Sequence, residues 1–299
     1  MKQVKTIITI LFIGLISSII YINQDKIISY VTNLFNKTTE LYMLGIKATG
    51  DLIDEKSLGS LEDSKITGEN YIIDSNYYPY YQMLNEEEKR LYKQVCANIE
   101  SLKIKFIPTT DITIKEVNTV IEAVYNDHPE FFWLNTNYSY KYTEDKQCVQ
   151  IILDYNETSK NIEKHKILFN ETANDIIKEA YKLKSDYDKE KYVHNKIIEL
   201  AEYDENSNMN QTAYSALITK KTVCAGYTRA FQYLMTKLEI PTYYVVGYAN
   251  EDHAWNIVKL EDGYYNVDLT WNDQTSGTYN YFNMSDNIFS KTHTRTGMS

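Results

Sequence analysis

The chain has 299 residues, with 31 Lys+Arg against 41 Asp+Glu and a formal net charge of −10. At 43% hydrophobic and 24% charged residues, with only 4 Pro and 10 Gly, it is globular material and not a collagen-like or Gly/Pro-rich disordered chain. The acidic balance supplies no basic excess to displace counterions, which argues against nucleic acid as a partner. Tyrosine is over-used, 28 residues against 9 Phe and 3 Trp, so apolar rings with a polar tip are expected at half-buried positions and on binding surfaces.

The run IITILFIGLISSIIYI (7–22) is uncharged and follows Lys2 and Lys5. Extended from Val4 to Asn23, it approaches the roughly 20 residues that a membrane span needs, with Lys5 snorkelling to the interface. No small-x-small cleavage site follows it, so residues 1–24 read as an uncleaved signal anchor in preference to a cleaved signal. The two lysines keep the N-terminus inside and place the rest of the chain outside the cell. The alternative is secretion after cleavage. Residues 25–76 read as a stalk or linker, helical in rhythm over 27–46 and polar over 51–70.

Residues 77–170 read as a mostly helical region with a hairpin. Leu84, Leu91, Val95, Ile99 and Leu102 recur near the helical period and predict a helix from Pro79 to Leu102, with Glu86, Glu87 and Glu88 as a solvated acidic turn. Val117, Val120, Ile121 and Val124 predict a second helix from Thr113 to Tyr125, with Thr110 or Thr113 as cap. Alternation over 138–143 and 148–155 predicts a hairpin. Further helices are expected over 158–183 and 187–203. In the last third, Tyr227, Phe231, Leu234, Met235 and Leu238 share one face of a helix from Cys224 to Leu238, stopped by Pro241. Three strands are expected over 242–249, 253–260 and 264–271.

Three cysteines, Cys96, Cys148 and Cys224, make no disulfide framework and match no zinc spacing. Cys224 opens a helix, where unsatisfied N–H groups favour a thiolate and the backbone N–H of Cys224 can donate to a developing oxyanion. His253 begins a strand and has the residue type of a general base. Asp268 is flanked by Val267 and Leu269, and a carboxylate there is costly unless paired, most sensibly with an imidazole N–H. A hairpin centred between Leu260 and Glu261 sets 253 opposite 268. One centred on Asp262 and Gly263 shifts that pairing by about three to four residues, so that a bulge or strong twist is needed. Taken singly, each residue has a commonplace structural reading. Together they follow the order nucleophile, base, orienter.

The segments TVCAGYTRAFQYLMTKLEIPTYYVVGYA, DHAWNIVKL and GYYNVDLTWND resemble the transglutaminase-like superfamily, closest to its bacterial, membrane-anchored or secreted branch. KYVHNKIIELAEYD (191–204) resembles the helix that precedes the nucleophile in that family. The resemblance implies an α+β fold with a papain-like core over residues 171–299, the nucleophile helix packed on an antiparallel sheet. It also implies a Cys-His-Asp triad of Cys224, His253 and Asp268. The implied chemistry is acyl transfer through a thioester, resolved by water in a protease or amidase or by an amine in a transglutaminase, on a protein or peptide substrate at the cell surface. The alternative of a different class is a catalytically inactive surface module that binds protein or glycan through tyrosine-rich surface.

Among the remaining residues, Tyr214 is a candidate oxyanion donor, although core packing is favoured for it. Trp255, Trp271, His194 and Cys96 read as packing residues. His128, His165 and His293 show no metal-ligand spacing, and no cofactor or metal is expected. A Cys96–Cys148 bridge is compatible with the sequence but unsupported by it. The segments YYQMLNEEEKRLYKQV and EAVYNDHPEFFWL resemble a stretch that often precedes this core, with no role assigned.

Overall fold

The computed structural model describes residues 46–274 and 279–296, all within one unit spanning 43–299. The signal anchor expected over 1–24 and the first part of the expected stalk lie outside the described residues. Among the described residues, no helix is long and apolar enough to cross a membrane.

The segment expected to be linker is instead tied into the fold. Strand β1 (Lys47–Leu52) pairs in parallel with β3 (Leu134–Tyr142), from Lys47 opposite Asn137 to Leu52 opposite Tyr142. Beyond it, Asp63 accepts from the Ile107 amide at 3.1 Å, and the Glu62 carbonyl accepts from Gln150 Nε2 at 2.6 Å. Local polarity hid this, because the pairing partners lie more than forty residues away.

The helix expected over 79–102 is two helices, α1 (Pro79–Met83) and α2 (Glu86–Glu100). Asn85 causes the break. Its side chain accepts from the Glu87 and Glu88 amides while Glu88 reaches back to the Asn85 amide, a capping box that starts a new helix in mid-pattern. After the short strand β2 (Lys105–Phe106), helix α3 (Ile114–Asp127) begins at Thr113, with the same reciprocal box to Glu116. The expected hairpin is present as β3 and β4 (Cys148–Tyr155), in a sheet of order β1-β3-β4-β2.

Helices α4 (Ile162–Ala180) and α5 (Asp186–Leu200) follow, then short strands β5 (Glu202–Tyr203) and β6 (Lys221–Thr222) and helix α6 (Cys224–Lys237). Helix α6 lies on a sheet of order β10-β7-β8-β9, built from β7 (Thr242–Tyr248), β8 (Asp252–Leu260), β9 (Gly263–Val267) and β10 (Thr294–Arg295). Between β9 and β10 run helices α7 (Leu269–Gln274) and α8 (Asp286–Phe289). The third strand ends earlier than expected, so Asp268 sits at a strand-to-helix junction.

A single hydrophobic cluster extends from Ile46 to Phe282 and crosses the expected boundary at 170/171. Phe132 meets Phe169 at 4.8 Å between ring centroids, and Phe169 meets Tyr233 of α6 at 4.6 Å. The two expected regions therefore share one core. All three cysteines are free thiols, with Cys96 and Cys148 buried, so the Cys96–Cys148 bridge is absent.

One buried acid gives the fold a pH signature. Glu190 of α5 accepts from Asn283 Nδ2 at 2.8 Å, yet burial dominates and pushes its carboxyl from 4.5 to about 8. A raised folded pKa contributes stability that is complete below about 4.5 and lost as pH rises through about 8. Glu190→Gln is expected to match the parent chain at pH 4 and to exceed its stability by about 2–4 kcal/mol at pH 8.5 in urea melts. Equal stabilities at pH 8.5 would contradict this.

Candidate active site

The start of α6 is shaped by close packing. Val223 is its N-cap and offers no side-chain hydrogen bond, while its carbonyl accepts from the Gly226 amide at 2.9 Å, so the cap side chain makes no demand on the Cys224 and Ala225 amides. Gly226 allows the helix to approach its neighbours. A Cβ there would lie 1.8 Å from Thr222 Oγ1 and 2.7 Å from the Asn210 carbonyl, which explains the Cys-Ala-Gly sequence in steric terms. Ser215, Thr222 and the Asn210 carbonyl form a hydrogen-bonded floor beneath this turn. Asn256 of β8 ties helix to sheet, donating to the Thr228 carbonyl at 3.1 Å and the Tyr243 carbonyl at 3.3 Å.

The far side of α6 is held by the N-terminal region. Arg229 donates to the Tyr125 carbonyl and Gln232 to the Asn126 carbonyl at 2.9 Å, so a guanidinium caps the negative end of α3. The Arg229 guanidinium also lies over Tyr244, 4.5 Å from the ring centroid. Tyr80 of α1 donates to the Tyr244 carbonyl at 2.6 Å. The unassigned YNDHPEFFW stretch thus docks α6. Within it, Asp127 accepts from the Tyr80 and Tyr81 amides and from the Tyr92 hydroxyl. His128 bonds Glu130 at 2.7 Å and Cys96 at 3.4 Å.

On the sheet, Leu260 pairs with Gly263 and Asn256 with Val267, so the turn is Glu261–Asp262. This register lies between the two considered from sequence. His253 would face residue 270 if pairing continued, and Asp268 reaches it by leaving the strand. His253 Nε2 meets Asp268 Oδ2 at 2.8 Å, with side-chain exposures of 5% and 0%. Cys224 lies close enough to the same imidazole to raise its pKa. The structure therefore brings His253 and Asp268 into hydrogen-bond contact, with Cys224 near enough to act on the imidazole.

Burial alone would push the His253 imidazolium down. The hydrogen bonds and negative charge of Asp268 and Cys224 outweigh it and push the group up to about 10. Burial likewise opposes ionisation of Asp268, but donors from His253, His293 and the Trp271 amide hold its carboxyl below the usual range. Trp271 and Trp255 flank His253, with centroids at 6.0 and 6.3 Å, and shield the pair from water.

Tyr214 does not join this group. Its hydroxyl bonds His165 Nδ1 at 2.8 Å, and its ring packs on Phe132 and Phe169 in the shared core, which bears out the favoured packing reading over the oxyanion alternative. His194 is a buried packing residue that bonds Asn272 at 2.9 Å, and burial pushes it down to about 4. The sequence reading missed His293. Its Nε2 lies 3.1 Å from Asp268 Oδ2, and only the pairing of β10 with β7, invisible in a two-residue strand, would have signalled this. Among the described residues, His253, Asp268 and His293 are the one group whose potential metal-ligand atoms gather within 4.8 Å. Their separations are those of N–H···O hydrogen bonds, which account for the cluster with protons alone.

A histidine held at about 10 keeps its proton at neutral pH. The pairing stabilises the fold fully below about 6.5, and that contribution is lost as pH rises through about 10. The ring C–H signals of His253 are expected to titrate above pH 8 by NMR, and to move down in Asp268→Asn. A midpoint near 6.5 in the parent chain would contradict this.

Residues 172–269 match the family model described as the transglutaminase-like superfamily. No curated protein gives a significant match. Among solved structures, a candidate cysteine protease from Cytophaga hutchinsonii is 25% identical, covering 33% of this chain and 37% of its own, with a TM-score of 0.30. A structure described as a TGase is 17% identical, with coverages of 62% and 54% and a TM-score of 0.33. The periplasmic domain of TgpA from Pseudomonas aeruginosa is 14% identical, with coverages of 44% and 58% and a TM-score of 0.30. In each case the chain spans less than two thirds of the length of the solved structure. The segment 172–269, which contains Cys224, His253 and Asp268, is thus a domain of the transglutaminase-like superfamily.

Proposed function

We propose that the protein is a cysteine-dependent acyl-transfer enzyme acting on amide bonds of a protein or peptide substrate, with Cys224 as nucleophile, His253 as acid/base and Asp268 as orienter. The observation that carries this reading is a single buried imidazole that is hydrogen-bonded to a buried carboxylate and whose pKa is raised further by a cysteine at a helix start. The Cys224 sulfur attacks the amide carbonyl carbon as a thiolate, and the carbonyl oxygen becomes an oxyanion near the first-turn amides of α6. Collapse breaks the C–N bond, and the His253 imidazolium gives its proton to the departing amine. The product is a thioester on Cys224. Water then adds with His253 as base, releasing a carboxylic acid and restoring the thiol. With an amine in place of water, a new amide forms.

Hydrolysis is favoured over amine transfer, because no dedicated tunnel for a second substrate is readable in the sequence. We further propose that the enzyme acts outside the cell, tethered through residues 1–24, on the strength of the uncharged run behind Lys2 and Lys5.

Incubating the protein with a cell-surface extract and a biotinylated amine, beside Cys224→Ala, tests this reading. New peptide fragments that depend on Cys224 without biotin incorporation are the expected result. Cys224-dependent incorporation would identify a transferase instead. The absence of both would contradict the enzymatic reading.

A further inference from the structure

We propose that His293 is a positioning residue for the catalytic pair: its Nε2–H is the second donor that keeps Asp268 ionised and turned toward His253. The inference rests on the reading of Cys224, His253 and Asp268 as one reactive unit. Asp268 Oδ2 accepts from His253 at 2.8 Å and from His293 at 3.1 Å, while Oδ1 accepts from the Trp271 amide at 3.1 Å. All the donors come from different places in the chain: strand β8, the first turn of α7, and the residue ahead of β10. The titratable groups around the carboxylate are therefore His253, His293 and, farther off, His194 of α5.

His293 is built in as firmly as His253. Its side chain is fully buried, and its ring stacks on Phe289 with centroids 3.8 Å apart and lies 4.6 Å from Trp271. Thr292 Oγ1 sits 2.8 Å from Nδ1. That hydroxyl also donates to the Phe289 carbonyl at 3.2 Å, and an ionised Asp268 can only accept, so the 3.1 Å contact puts a proton on His293 Nε2. Its backbone amide bonds the Phe289 carbonyl at 3.1 Å, and the next two residues pair with Tyr248 and Gly247. Gly247 makes this approach feasible, since a Cβ there would lie 2.1 Å from the Thr294 carbonyl oxygen and 2.5 Å from Trp255. A hydrophobic aromatic at 293 would fill the same space. The imidazole brings a donor aimed at the oxygen that holds His253.

Losing one of the donors to a buried carboxylate makes the carboxylate easier to protonate, and a protonated Asp268 no longer supports the His253 imidazolium that faces Cys224. The test is the pH dependence of Cys224 alkylation by iodoacetamide in the full-length chain, with adducts assigned by mass spectrometry. In His293→Phe the acid limb of the profile is expected to move up by about one pH unit, and in His293→Gln, which keeps an N–H donor, to return to within a few tenths of the parent value. If His293→Phe does not fold, His293→Met serves as the donor-free variant. A donor-free variant that folds and keeps the parent profile overturns the inference, as does a His293→Gln profile shifted as far as that of the donor-free variant. A parent chain in which Cys224 reacts only as an ordinary thiol, near pH 8.5, overturns the reactive unit itself and the inference with it.

Discussion

The architecture of the site turns on one buried carboxylate. Asp268 has no exposed side-chain surface, and an ionised group so placed costs several kcal/mol unless donors surround it. The chain meets that demand from three directions, and each demand shapes an element. Strand β9 must end at Val267 so that the next residue can turn out of the sheet. Helix α7 must begin at once, so that the Trp271 amide points back at Oδ1. The C-terminal segment must return across the sheet, and Gly247 gives it room to do so. His253 receives its orientation and its retained proton from this arrangement.

Cys224 is placed by a second, independent set of constraints. Helix α6 is clamped at its first turn by Gly226 against the 210–222 segment, on its sheet face by Asn256, and on its opposite face by the end of α3. The last clamp gives the N-terminal region its place in the account. Residues 125–132 offer carbonyls to Arg229 and Gln232 and rings to the shared core, while Asp127 fixes α1, whose Tyr80 reaches β7. The polar contacts His128–Cys96 and His128–Glu130 are the interior of this joint, with His128 sandwiched between Tyr78 and Phe131. The bonds of His128 hold together the segment whose carbonyls set the position of α6.

The helices and the second sheet were legible because their signals are local: apolar period, capping residues such as Thr113, and Pro241 as a stop. The candidate nucleophile, base and orienter were legible because each sits in a short, chemically specific context. What was not legible depends on distant partners. Strand β1 looks like linker until β3 is beside it, and β10 is two residues long. The place of His293 followed from neither periodicity nor ligand spacing, because Asp268 lies twenty-five positions away. The break before Glu86 had a visible cause in the Asn-x-x-Glu box, but the continuous apolar spacing on both sides overrode it. Tyr214 shows the reverse case, a residue near Cys224 in sequence whose favoured packing role the structure bears out, its hydroxyl taken by His165.

The central claim is that Cys224 forms a thioester because His253, oriented by Asp268, serves it. The most direct measurement is the intact mass of the acid-quenched protein after brief exposure to a peptide p-nitrophenyl ester, with the modified residue located by fragmentation. The account predicts one acyl group on Cys224, none on the buried Cys96 or Cys148, strong loss in His253→Ala and slower formation in Asp268→Asn. Equal acylation of the parent chain and His253→Ala, or acylation centred on another residue, would contradict it.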